Sequence, residues 1–207
     1  LACVDAKEEE AVEGMQEEAH ECGHAHHEAE YDEHVWLSLR NAQTITRAIL
    51  EALCEADPAH AETYRANADA YIAQLAELDA QYADMVRHAA RTAILFADRF
   101  PFRYLADDYG LTYYAAFAGC SAETEASFKT IAFLAKKVDE LNLPAVLAIE
   151  GGNHAIAETV VASTQAKNQV ILSMNSLQSM TEADVQRGES YLSVMTQNLA
   201  ILTQALN

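Results

Sequence analysis

Four short, predominantly apolar runs at residues 92–96, 111–117, 145–149 and 169–173 alternate with stretches of helical periodicity in the second half of the chain. Apolar runs without polar alternation belong to strands covered on both faces. Strands separated by helices pair through crossovers, which makes the sheet mainly parallel. The expected fold class is therefore α/β: a four-stranded, mainly parallel sheet with helices on both faces and a long helix beside it. Such sheets bind ligands beyond the carboxyl ends of their strands. The segments to inspect are Ala97-Asp98-Arg99, Ala118-Gly119-Cys120, Glu150-Gly151-Gly152-Asn153-His154 and Met174-Asn175.

Helices account for most of the remainder. Ser38 can cap a helix carrying Ala42, Ile45, Ile49, Leu50 and Leu53 at helical spacing, and Asp57-Pro58 forms a cap and first-turn pair for the next. That second helix places Tyr64, Ala68, Tyr71, Leu75, Leu78, Tyr82 and Met85 at alternating steps of four and three. It is expected to reach about His88, a length of about 45 Å, as either a coiled-coil partner or a strut along two lobes. Further helices are expected over 102–109, ended by Gly110, and over 124–141, 154–163 and 189–206. Only 7 glycines and 3 prolines in 207 residues suit long helices with few tight turns. Three regions follow: an acidic, His-rich mobile segment (1–33), a linker with the long backbone helix (34–90), and a C-terminal α/β lobe (91–207).

Charge narrows the partners. With 13 basic and 32 acidic residues the formal net charge is −19. Phosphate backbones are bound by basic side chains that release counterions, so a nucleic-acid partner is excluded and an anionic membrane surface is disfavoured. Cations are the natural partners of such a field. No apolar run approaches the roughly 20 residues of a membrane helix. No signal peptide is visible, and Leu1-Ala2-Cys3 matches the end of a lipoprotein signal only by chance. Cys3, Cys22, Cys54 and Cys120 fit no zinc-knuckle or redox spacing, and Cys54 is expected in the core.

Several residues can ligate a cation. His20, His24, His26 and His27 stand together in an acidic stretch, and neutral imidazole is the commonest side-chain ligand for zinc. This cluster is expected to capture metal weakly and exchangeably. His34, beside Trp36, is by itself more often a packed or capping residue than a ligand. Glu150 follows an apolar strand with His154 four residues on, so the two can converge on one cation, or the glycine turn between them can serve as a helix cap. Asp98 can bind metal, cap the following helix, or pair with Arg99 or Arg103. Gly-x-Ser-x-Gly, phosphate-loop, Gly-x-Gly-x-x-Gly and His-Glu-x-x-His patterns are absent, which argues against an enzyme.

Longer motifs carry a resemblance. Asp32-Glu33-His34-Val35-Trp36-Leu37-Ser38 is similar to the Asp-x-His-x-Trp-Leu-(Ser/Asp) motif of the zinc- and manganese-type solute-binding proteins of ABC importers. The His-rich loop before it, the long helix after it, the Arg103–Gly110 stretch with its Tyr-Gly-Leu turn, and the terminal Tyr191-Leu192-Ser193-Val194-Met195-Thr196-Gln197-Asn198-Leu199 resemble the same family. The resemblance implies extracytoplasmic binding of a divalent metal, zinc favoured and manganese the alternative, for delivery to an ABC permease. It implies a periplasmic or cell-surface lipoprotein in the full-length form. It makes His34 a metal ligand and Glu150 the counterpart of a strand-end glutamate. The family's ligand after the first strand of this lobe falls on Arg99 in a gapless match, or on Asp98 with one residue inserted. Arginine has only donors, so Asp98 is the expected ligand. Asn175 stands where the family often places a carboxylate, and His154 is near enough to compensate. The expected set is thus His34, Asp98, Glu150, His154 and Asn175. The family's N-terminal lobe, with a further histidine, is not found here, so the chain is expected to be a C-terminal portion that holds metal weakly and can dimerise. The rival expectation is a structural or adhesive surface module that associates through its heptad helix.

Overall fold

The computed structural model describes residues 3–16, 31–119, 121 and 125–207. A 3-10 turn, Val35–Leu37, leads into helix α1 (Leu39–Ala56), and a second short turn leads into α2 (Ala61–His88). Then follow β1 (Ala93–Phe100), α3 (Arg103–Tyr109), β2 (Thr112–Ala118), α4 (Phe128–Leu141), β3 (Ala145–Ile149), α5 (Ala155–Ser163), β4 (Val170–Met174), α6 (Glu182–Gln186) and α7 (Tyr191–Leu206). All pairings are parallel, in the order β2-β1-β3-β4. The chain direction reverses across the sheet between β1 and β3, which makes their carboxyl ends the topological switch point.

The apolar strands divide their side chains between two cores. Ile94 and Phe96 of β1 join Leu75, Leu78 and Tyr82 of α2 and Met195 and Leu202 of α7 on one face. Leu95 and Ala97 join Leu134 and Val138 of α4 and Ala157 and Val160 of α5 on the other. The heptad stripe of α2 is therefore spent on its own lobe over its second half: Leu75 and Tyr82 have no exposed surface, and the Tyr82 hydroxyl donates to the Met195 carbonyl at 2.6 Å. Those positions are not free for a partner helix, which removes the main support for the adhesive alternative. Cys54, expected in the core, is only partly buried.

Local chemistry explains the element ends. Ser38 accepts from the Asn41 N–H and starts α1, Ser127 accepts from the Thr130 N–H and starts α4, and Gly110 ends α3 at a φ of 68°. Helix α6 was not anticipated, although Thr181 and Asp184 form a reciprocal capping box. Strand β1 runs four residues further than expected because, past an irregularity, Arg99 and Phe100 pair with Phe117 and Ala118.

Residues 3–16 form a strap along the lobe. The Gln16 N–H donates to the Ala116 carbonyl at 2.9 Å, covering the outer edge of β2. Gly14, at a φ of 90°, lies against the Phe133 ring, where a Cβ would overlap it. Glu8 bridges Tyr31 in antiparallel fashion, and Arg103 pairs with Glu10 at 2.9 Å. No helix among the described residues is long and apolar enough to cross a membrane.

Candidate metal centre

His34 lies at the carboxyl edge of the sheet with 1% of its surface exposed. Its position depends on Gly119, the residue after β2: a Cβ there would come within 3.0 Å of the Phe100 carbonyl oxygen, 3.2 Å of His34 Cε1 and 3.3 Å of Nδ1. Glycine leaves the room that the imidazole fills. Gly119→Ala is expected to displace the ring and destabilise the fold by about 1–3 kcal/mol, measured by chemical denaturation.

The ring has a defined tautomer. Asp32 Oδ1 accepts from the His34 backbone N–H at 2.8 Å and lies 2.9 Å from Nδ1. A carboxylate oxygen accepts, so Nδ1 carries a proton. Nε2 is met at 2.8 Å by the side-chain amide of Gln178, which donates to it. Gln178 is in turn held by Ser176, whose hydroxyl donates to Oε1 at 3.2 Å. Leu177 adopts a φ of 63°, and its N–H donates to the Asn175 side chain at 2.7 Å, folding the turn that brings Gln178 to the imidazole. Trp36 locks the segment from below: its indole N–H donates to the Ser176 carbonyl at 3.0 Å, and the Tyr191 hydroxyl donates to the Trp36 carbonyl at 2.7 Å. Burial pushes the Tyr191 phenol well above its ordinary range, which keeps it a donor.

The other expected ligands are distributed along the same edge. Asp98 sits at the switch point: Oδ1 accepts from the Arg99 N–H at 2.8 Å and Oδ2 from the Ile149 N–H at 3.1 Å. Its carboxylate thus ties the end of β1 to the end of β3. Glu150 is exposed just beyond β3, and its backbone N–H donates to the Met174 carbonyl. His154 precedes α5 in the left-handed region at a φ of 52°, with Nε2 at 3.0 Å from the Ser173 hydroxyl. Asn175 gives its side-chain oxygen to the Leu177 turn, and its backbone is bracketed by Asn198. Among the described residues no three His, Cys, Asp or Glu side chains stand together as a cation cage. His20, His24, His26, His27 and Cys120 lie outside the described residues. Gln178 was missed by sequence reasoning because the strand-end rule stopped at Asn175; the only signal was a polar residue three positions further on.

Comparison with known proteins identifies the family. The sequence profile described as zinc-uptake complex component A, periplasmic, matches residues 2–205. The chain belongs to the ZnuA family. Within it, the chain is 35% identical over 192 residues to the zinc-binding lipoprotein AdcA of Streptococcus pneumoniae strain R6, covering 92% of this chain and 37% of that protein. It is 31% identical over 175 residues to the high-affinity zinc uptake system protein ZnuA of Bacillus subtilis, covering 84% of this chain and 53% of that one. It superposes on the Zn(II)-bound ZnuA-like domain of S. pneumoniae AdcA with a TM-score of 0.70 and 34% identity, over 85% of this chain and 64% of that domain. The metal-dependent lipoprotein YcdH of B. subtilis gives a TM-score of 0.73 at 29% identity, with the same two coverages. The chain therefore spans 37% to 53% of the length of these curated relatives. ZnuA membership accounts for the α/β fold.

Proposed function

We propose that this chain is the metal-binding lobe of an extracytoplasmic carrier that takes zinc, with manganese as the alternative, and delivers it to an ABC permease. The observation that carries the reading is the Asp32–His34 pair. A metal-ligating histidine donates its second ring N–H to a carboxylate or carbonyl, which sets the tautomer and raises ligand basicity. His34 has that arrangement, and among the described residues the neutral Gln178 amide meets its Nε2. The cation takes the place of that amide contact. Asp98, Glu150, His154 and Asn175 are the candidates to complete the shell, and Gln178 joins them through its amide oxygen. Imidazole with oxygen donors suits zinc; a shell dominated by oxygen shifts preference toward manganese.

No catalytic role is assigned to any residue, and binding and release are the whole activity. In the full-length form the protein is placed in the periplasm or on the cell surface as a lipoprotein. The relatives lend the dimer no support. Calorimetric titration of the 207-residue chain with zinc and with manganese tests the proposal. Saturable one-to-one zinc binding with proton release is expected, because ligands must be deprotonated to bind. Heats no different from buffer for both ions would remove it.

The histidine-rich segment has a separate role, the collection of dilute zinc for the site. Deleting residues 17–30 is expected to slow zinc acquisition several-fold at limiting metal while leaving the equilibrium affinity of the His34 site unchanged. Stopped-flow competition with a fluorescent chelator measures the rate, and an unaltered rate rejects this role.

A further inference from the structure

We propose that Tyr104 is a positioning residue for the zinc-binding imidazole, its hydroxyl completing the pairing between the N-terminal strap and the His34 segment. The inference rests on the reading of His34 as a zinc ligand. Glu8 and Tyr31 pair in antiparallel fashion, which sets Lys7 opposite Asp32. One of the two expected bonds is direct, from the Asp32 N–H to the Lys7 carbonyl at 2.8 Å. The return bond is not. The Lys7 N–H donates to the Tyr104 hydroxyl at 2.9 Å, and that hydroxyl donates to the Asp32 carbonyl at 2.9 Å. The phenol is inserted into the ladder in place of a rung.

This insertion couples two parts of the molecule. Tyr104 belongs to α3, directly beyond β1, and only 2% of its surface is exposed. It ties the backbone of Asp32 to the lobe, while the strap holds the same residue from the other side. The Asp32 carboxylate then orients both the His34 backbone N–H and Nδ1. Removing the hydroxyl leaves the Lys7 N–H and the Asp32 carbonyl facing each other across the space of an oxygen atom. A part-buried donor and a buried acceptor left without partners are costly, so the ribbon closes or opens. Either movement swings the carboxylate and releases the imidazole from its fixed direction.

The test compares zinc titrations of the full chain, Tyr104→Phe and His34→Ala, with the exchange of the His34 Nδ1 proton with water measured by NMR in the first two. Tyr104→Phe is expected to weaken zinc binding by about three- to tenfold, below the 10- to 100-fold typical of a group in direct contact with a ligand, and to speed Nδ1–H exchange at least about fivefold. A purely structural tyrosine would leave that proton unaffected. If His34→Ala abolishes binding while Tyr104→Phe matches the parent in affinity and exchange, the positioning role is overturned and the carrier reading stands. If His34→Ala binds zinc like the parent, both fall. Should Tyr104→Phe fail to fold, 3-fluorotyrosine placed at position 104 preserves the shape while making the hydroxyl a stronger donor and poorer acceptor. A shifted His34 Nδ1 proton and a change of about twofold in zinc affinity are then expected, as for a perturbed hydrogen bond; no change in either overturns the proposal.

Discussion

His34→Ala is expected to lower the zinc affinity of the chain by roughly 100- to 1000-fold while the protein stays folded. Structural zinc sites gain about 10–16 kcal/mol from four ligands. One ligand's share is thus about 2.5–4 kcal/mol, and each 1.4 kcal/mol is a factor of ten. The loss also has a structural component. His34 is buried beside an equally buried Asp32, so truncation leaves Asp32 Oδ1 with the backbone N–H of residue 34 as its remaining partner. A weakened buried acceptor costs about 1–3 kcal/mol, within the 5–15 kcal/mol of stability usual for a domain. Far-ultraviolet circular dichroism before titration separates the two effects. Asp32→Ala provides the graded comparison: it keeps the imidazole but frees its tautomer, and about 10- to 100-fold is expected. Equal zinc affinity in the parent and both variants would show that the ion binds elsewhere.

The second large effect concerns the long helix. Tyr82→Ala should destabilise the fold by about 3–5 kcal/mol, the range for emptying a fully buried aromatic site. The side chain has no exposed surface, stacks on Tyr109 with ring centroids 5.2 Å apart, and donates its hydroxyl to Met195. Its loss therefore removes contact between α2, α3 and α7 at once. For a chain of this size the thermal midpoint should fall by roughly 6–20 °C, measured by scanning calorimetry. Were α2 instead an independent coiled-coil arm, the same change would leave the lobe's melting unaltered and alter only self-association in sedimentation.

Elements with strong periodicity and explicit caps were legible in the chain. Ser38, Gly110 and the alternating stripe of α2 each state a local rule, and the four apolar runs state the sheet. Helix α6 was passed over because five residues carry no periodicity, even with a capping box present. At the site, the His34 motif was readable because its residues are contiguous. Gln178 was not, because its meeting with His34 spans 144 positions and depends on a turn folded by Asn175 and Leu177. Asp98 was read as a ligand, a cap or an ion-pair partner; its observed bonds go to the backbone of Arg99 and Ile149, across the switch point.

Sequence alone determined the fold class, the positions of the helices other than α6 and a motif around His34 that resembles a metal carrier's, because these depend on neighbours a few residues apart. Tertiary structure decided the rest: that residues 3–16 run as a strap, that Tyr104 is built into its pairing, that Gly119 makes room for the ring, and that Gln178 faces Nε2. Each of these joins groups remote along the chain, and hydrogen bonds between such groups exist only once packing has brought them to within about 3 Å.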